Sequence, residues 1–211
     1  MAFAQRYGLW ALVAGASDGV GRAFVEALAQ RGLNVAMLAR RENLLRELSA
    51  EVQQRYGVQT RILAIDLANM DAAQQVVSAI ADIKVGFLVY CAGADANYSP
   101  FLEAPLAVAE AMLQRNCYLP LQLCHHLAPA MVNRGRGGIV ILGSGAGFAG
   151  AGNMVVYGAS KAFDMVFAEA LWCELKPKGV DVLGLILGET DTPALRRLRH
   201  KLDWQKRRMK R

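Results

Sequence analysis

Tyr157 and Lys161 stand four residues apart in Tyr157-Gly158-Ala159-Ser160-Lys161. On a helix that spacing puts both side chains on one face. A phenol is a poor acid–base group at neutral pH unless a nearby cation stabilises its phenolate, and Lys161 is spaced to be that cation. Ser144, thirteen residues before the tyrosine, follows the apolar run Ile139–Leu142 in the glycine-rich stretch Gly143–Gly147. That run reads as a strand, and open α/β sheets place their ligands at strand carboxyl ends.

A second candidate site follows the apolar run Trp10–Ala14, in Gly15-Ala16-Ser17-Asp18-Gly19-Val20-Gly21-Arg22. A strand, a glycine-rich turn and a helix start aim backbone N–H groups and a helix dipole at a phosphate. The spacing is G-x-x-x-G-x-G rather than the dinucleotide fingerprint G-x-G-x-x-G. About twenty residues on, where an acid would hold a ribose 2′-hydroxyl, the run Val35–Ala39 leads instead into Arg40 and Arg41. Arginine there suits the 2′-phosphate of NADP. The structural alternatives are a tight turn for the glycines and an ordinary basic helix start for the arginines.

The elements that must position these groups alternate along the chain. Strands are predicted at Trp10–Ala14, Val35–Ala39, Arg61–Ile65, Val85–Tyr90, Ile139–Leu142 and Val180–Leu187. Helical periods fall near Val20–Gln30, Glu42–Tyr56, Met70–Ala81, Pro105–Val132 and Val156–Leu175. This pattern predicts an α/β fold, a doubly wound parallel sheet with helices on both faces. Residues 1–195 read as one nucleotide-binding and catalytic domain and 196–211 as a basic tail.

Composition narrows the class. Hydrophobic residues make up 54% of 211 residues with a mean hydropathy of +0.21, yet no run approaches a membrane span of roughly 18 residues. The apolar content belongs in a covered sheet. The tail carries nine Lys/Arg and one acid, leaving residues 1–195 with 15 basic and 17 acidic side chains. The basic pI of about 9.3 therefore describes a solvated end, and no nucleic-acid partner is expected. Cys91, Cys117, Cys124 and Cys173 lack metal or disulfide spacing, so no metal site is expected and reduced thiols suit a cytoplasmic protein. Arg6 and Leu9–Ala14 imitate a signal peptide, but the glycine loop follows at once and the run reads as a first strand. His125 and His126, adjacent on a helix, face about 100° apart and cannot share a ligand.

From Leu9 to Thr192 the chain resembles the short-chain dehydrogenase/reductase family. The resemblance rests on the glycine loop, Asp66, Cys91-Ala92-Gly93, Asn116, Ser144, Tyr157, Lys161 and Gly188 to Thr192, in order and spacing. It implies a Rossmann-like sheet of order 3-2-1-4-5-6 and hydride transfer between a nicotinamide and a carbonyl or secondary alcohol. It further implies that Tyr157 is the proton donor or acceptor and that Ser144 holds the substrate oxygen. Lys161 would bind the nicotinamide ribose, and Asn116 would complete a proton path. Gly15, Ser17, Asp18, Gly19, Val20 and Gly21 would surround the pyrophosphate and adjoining ribose. Arg40 and Arg41 would favour NADP(H), with NAD(H) possible. Asp66 and Leu67 would meet the adenine, Cys91, Ala92 and Gly93 the cofactor's inner edge, and Gly188, Thr190 and Thr192 the carboxamide.

The pair Asp18-Gly19 resembles the branch acting on steroids and long-chain 3-ketoacyl groups, and Tyr98, Phe148 and Met154 are candidates for an apolar substrate pocket. Ala14, Tyr90, Cys91 and Leu187 depart from the family's usual residues without touching the acid–base set. Members usually continue with another helix and a seventh strand, so the resemblance implies that the chain lacks that strand. A homodimer is expected through the helices at 105–132 and 156–175. The alternative reading is a shortened nucleotide-binding scaffold with little turnover.

Overall fold

Six apolar runs form six strands: β1 (Trp10–Ala14), β2 (Asn34–Ala39), β3 (Thr60–Ala64), β4 (Val85–Tyr90), β5 (Gly137–Ser144) and β6 (Val180–Leu187). They pair in parallel in the order β3-β2-β1-β4-β5-β6. The computed structural model describes residues 3–94 and 97–200. Every residue of β4 is buried, as a central strand covered on both faces requires. Helices α1 (Phe3–Tyr7), α2 (Gly19–Gln30) and α3 (Glu42–Tyr56) pack on one face. On the other lie α4 (Ala72–Ala79), α6 (Leu119–Asn133) and α7 (Val155–Leu175). Fully buried side chains such as Leu12, Leu38 and Leu88 each contribute roughly 1.5–3 kcal/mol of transfer free energy.

The strand order reverses at β1, which pairs with β2 on one side and β4 on the other. The connections from these strands leave to opposite faces and open a crevice at their carboxyl ends. Both candidate sites predicted from the sequence border that crevice.

Three departures from the predicted elements have physical causes. The expected single helix over 105–132 is instead α5 (Leu106–Leu113), a π-helical turn (Gln114–Tyr118) and α6. The widened turn buries both Gln114 and Asn116, which donate to the carbonyls of Asn69 and Gly93. β5 is twice as long as its apolar run because Gly137 and Gly138 join it at one end and Gly143 and Ser144 at the other. Met131 packs over Gly137 and Phe87 over Gly138, where any side chain would clash. α4 is shorter than predicted because Met70 and Asp71 form a turn, closed by Ala72 N–H donating to Asn69 O.

Helix α1 was not predicted. Its Phe3 and Tyr7 rings pack on Phe87 at 5.5 and 4.8 Å, and Arg6 and Tyr7 donate to Asp181 on the edge strand β6. A last helix over residues 193–200 spans the expected start of the basic tail. Residues 201–211 lie outside the described part. Among the described residues no helix is long and apolar enough to cross a membrane.

Candidate active site

At the end of β1, Gly15 adopts a φ of 84°, and a Cβ there would lie 2.9 Å from Ala92 N. Glycine therefore lets this loop press against Cys91-Ala92-Gly93 at the exit of β4. Gly15 and Ala16 N–H both donate to Leu38 O, tying the loop to β2. Helix α2 begins at Gly19 without a side-chain cap from Asp18, which leaves its first amide groups as donors of the kind a phosphate takes up. Val20 is half-buried, Gly21 is buried, and Thr192 packs against Gly19.

Charged groups ring this cradle. Arg41 donates to Ser17 Oγ at 3.1 Å and to Asp18 Oδ2 at 3.0 Å, and Arg197 donates to the same Asp18 oxygen at 2.8 Å. Burial pushes the Asp18 carboxyl up, but hydrogen bonds from Arg197 and Arg41 outweigh it and hold the group below the usual carboxylate range. Arg40 leans on Asp66 at 3.9 Å, and Asp66 Oδ1 accepts from Ala68 N–H beside the buried Leu67. Exposed pairs like these add little stability singly. Their sum leaves three guanidinium groups facing two carboxylates, a positive excess suited to a phosphate.

The chemistry-bearing residues gather across the crevice. Helix α7 places Tyr157 in its first turn and Lys161, 4% exposed, one turn deeper. Lys161 Nζ lies 6.0 Å from the Tyr157 ring centre and donates to Leu142 O and Asp164 Oδ2, both at 2.8 Å. Asn116, wholly buried in the π turn, donates through Nδ2 to Ser160 Oγ at 2.9 Å and accepts at Oδ1 from Arg115 Nε. Ser160 Oγ in turn donates to Tyr157 O at 2.8 Å. Gly93, at a φ of 131°, sits so close that a Cβ would lie 2.9 Å from Asn116 Oδ1 and 3.3 Å from Lys161 Nζ. Ser144 Oγ accepts from Ala146 N–H at 3.2 Å, which leaves its own hydrogen to donate.

Other predicted residues stand apart. Gly188 and Thr190 are exposed, with Thr190 Oγ1 donating to Gly188 O, and Thr192 Oγ1 accepts from Leu195 N–H at the start of the last helix. Tyr98 and Met154 line an apolar cleft with Phe101, Leu106, Met112 and Tyr157, whereas Phe148 lines a separate groove with Trp172 and Ile186. Burial pushes the Cys91 thiol far up, so it is a packing group and not a nucleophile. His125 and His126 are exposed, and the described residues hold no group of three or more metal ligands.

Sequence reasoning missed Ser160, Asp164 and Arg197. Asp164 had a signal: it is the one charged residue between Lys161 and Glu169, on the stripe that Tyr157 and Lys161 begin. Arg197 had none, because its partner lies 179 residues away.

The cradle, the basic rim and the inner lysine fit a phosphate-bearing dinucleotide. The sequence profile described as short chain dehydrogenase matches residues 9–203. The 7beta-hydroxysteroid dehydrogenase of Collinsella aerofaciens is 36% identical over 191 residues, covering 90% of this chain and 72% of that protein. The human very-long-chain 3-oxoacyl-CoA reductase is 31% identical over 182 residues, covering 85% of this chain and 58% of that protein. A short-chain dehydrogenase from Sphingobium yanoikuyae in complex with NADPH superposes with a TM-score of 0.84 at 30% identity, covering 90% of this chain and 74% of that one.

Proposed function

The chain belongs to the short-chain dehydrogenase family, and we propose that it is an NADP(H)-dependent reductase of bulky apolar ketones, reversible on the matching secondary alcohols. The observation that carries this reading is the Lys161 ammonium buried beneath the Tyr157 ring at the edge of the glycine-loop crevice.

A bound nicotinamide supplies or accepts the hydride. The Tyr157 hydroxyl gives its proton to the carbonyl oxygen as the alcohol forms and recovers it when the reaction reverses. Ser144 donates its free hydrogen to the same oxygen, stabilising charge that develops there. Lys161 stabilises the phenolate left on Tyr157 and holds both hydroxyls of the nicotinamide ribose. Asn116 and Ser160 keep the first turn of α7 in place and close the inner end of the proton path. Gly15, Ser17, Gly19, Val20 and Gly21 take the pyrophosphate region, and Asp66 and Leu67 the adenine. Cys91, Ala92 and Gly93 line the inner edge, and Gly188, Thr190 and Thr192 take the carboxamide.

Arg40 and Arg41 favour the 2′-phosphate, and Asp18 does not oppose this because Arg41 and Arg197 neutralise it. NAD(H) is the weaker alternative. The apolar cleft that ends at Tyr157 favours a large hydrophobic substrate. The substrates in the names of the two relatives, a hydroxysteroid and a very long acyl chain, agree with that choice.

The test is a panel of steroid ketones, long-chain 3-ketoacyl thioesters and small ketones, each with NADPH and NADH. Consumption of NADPH with the bulky members is expected. Turnover with small polar ketones alone would overturn the substrate class, and no turnover at all would favour a binding scaffold.

A further inference from the structure

Asp164 lies on the same stripe of α7 as Tyr157 and Lys161 and is 2% exposed. Its Oδ2 accepts from Lys161, and among the described residues its Oδ1 has no hydrogen-bond partner. The ammonium has three donors, of which Asp164 takes one and Leu142 O another. The role given to Lys161 above, on which this inference rests, asks it to serve two ribose hydroxyls. One present bond must then be released.

The two partners differ in how they bear that loss. Leu142 O is a backbone carbonyl in β5 and has no means of changing its charge. A buried carboxylate with neither oxygen paired costs several kcal/mol, and it escapes that cost by taking a proton. We propose that Asp164 is the positioning residue that holds Lys161 in the free protein and takes up a proton when a nicotinamide dinucleotide binds, coupling cofactor affinity to pH.

The groups around the pair do not compete for that proton. Besides Lys161 on α7, Asp164 feels the Tyr90 phenol of β4, the Cys117 thiol of the π turn and the Cys124 thiol of α6. Arg115 acts on Tyr90, and Cys91 acts with Lys161. Burial pushes Cys117 up to about 11 and Cys124 up to about 12, and carries Tyr90 and Cys91 well above their ordinary values. All four are neutral and already protonated near neutral pH. Burial also raises Asp164, against the pull of the Lys161 charge. The bound form holds the proton more tightly than the free form, so affinity rises as pH falls, by at most about tenfold per pH unit for one proton.

The experiment is calorimetric titration with NADH, which lacks a titrating 2′-phosphate, in buffers of different ionisation heat between about pH 6 and 9. The wild type is expected to take up a fraction of a proton on binding and to lose affinity as pH rises. Asp164→Asn should bind without uptake, with a flat pH dependence and higher affinity at the alkaline end. Should that variant not fold, Asp164→Ser, which removes the titrating carboxyl and leaves Lys161 its bond to Leu142 O, should likewise bind without uptake. Binding by the wild type without uptake, or equal uptake in the variants, would overturn the role of Asp164 alone. Failure of both NADH and NADPH to bind would overturn the cofactor reading and this inference with it.

Discussion

Asn116 Nδ2 donates to Ser160 Oγ at 2.9 Å, joining the π turn to helix α7 one residue before Lys161. Both side chains are buried, Asn116 at 0% and Ser160 at 1% exposure. The bond fixes the depth of the lysine relative to the exit of β4. Replacing Asn116 with Leu would remove its bonds to Ser160 Oγ, Gly93 O and Arg115 Nε, while Ser160 Oγ keeps Tyr157 O and Arg115 keeps Ala94 O. The expected loss is about 1–3 kcal/mol of unfolding free energy, the sum of these hydrogen bonds. Urea unfolding of Asn116→Leu checks this, and an unchanged midpoint would show that the bond carries no stability.

Arg41 is expected to set cofactor choice. Arg41→Ala removes a guanidinium from the rim and takes one of two partners from Asp18, whose charge then opposes a phosphate. A charge-assisted bond of about 1.5–3 kcal/mol corresponds to a loss of roughly ten- to hundredfold in NADPH affinity, with NADH affinity nearly unchanged. Fluorescence titration with both cofactors measures the ratio. Equal losses for the two would remove Arg41 from the 2′-phosphate site.

Asp181 links the amino-terminal helix to the edge strand through Arg6 and Tyr7. Burial raises its carboxyl, but hydrogen bonds from Arg6 and Tyr7 and the charges of Arg6 and Lys176 outweigh it and hold the group below the usual range. A depressed carboxylate contributes stability above its unfolded pKa and loses it as pH falls through the folded value. Thermal midpoints should therefore fall below about pH 4 more steeply in the wild type than in Asp181→Asn. Parallel acid limbs would refute the link.

A homodimer is expected through α5, α6 and α7. Leu106 on α5, Tyr118 in the π turn, Leu121 on α6 and Val166 on α7 expose 42–66% of their surface. Apolar residues at this density on neighbouring helices mark an interface. Phe163 and Phe167 stack at 5.2 Å and are half-buried already, so they stiffen this face more than they await a cover. Sedimentation at micromolar concentration should give twice the chain mass, and a persistent monomer would contradict the expectation.

Strand–helix alternation made the parallel sheet legible, because strands buried on both faces read as unbroken apolar runs such as Val85–Tyr90, whereas its order came from the family resemblance. The glycine loop and the Tyr157–Lys161 pair were legible for a related reason, since each is a local spacing on one element. What the sequence hid was non-local or lay in a break of regular period. Gly137-Gly138 reads as a turn until Met131 and Phe87 are seen above it, and the π turn interrupts a helical pattern that continues on both sides. Arg197 reads as one more charge in a basic run, yet it closes on Asp18. Asp164 reads as an interruption of an apolar stripe, yet it anchors the lysine.

The central claim is that Tyr157 delivers the proton in an NADP(H)-dependent carbonyl reduction. Its most direct test is single-turnover oxidation of bound NADPH by a bulky ketone, compared between the wild type and Tyr157→Phe. The variant should bind NADPH as tightly as the wild type and oxidise it roughly 10²–10⁴-fold more slowly. Equal rates with equal binding would contradict the account.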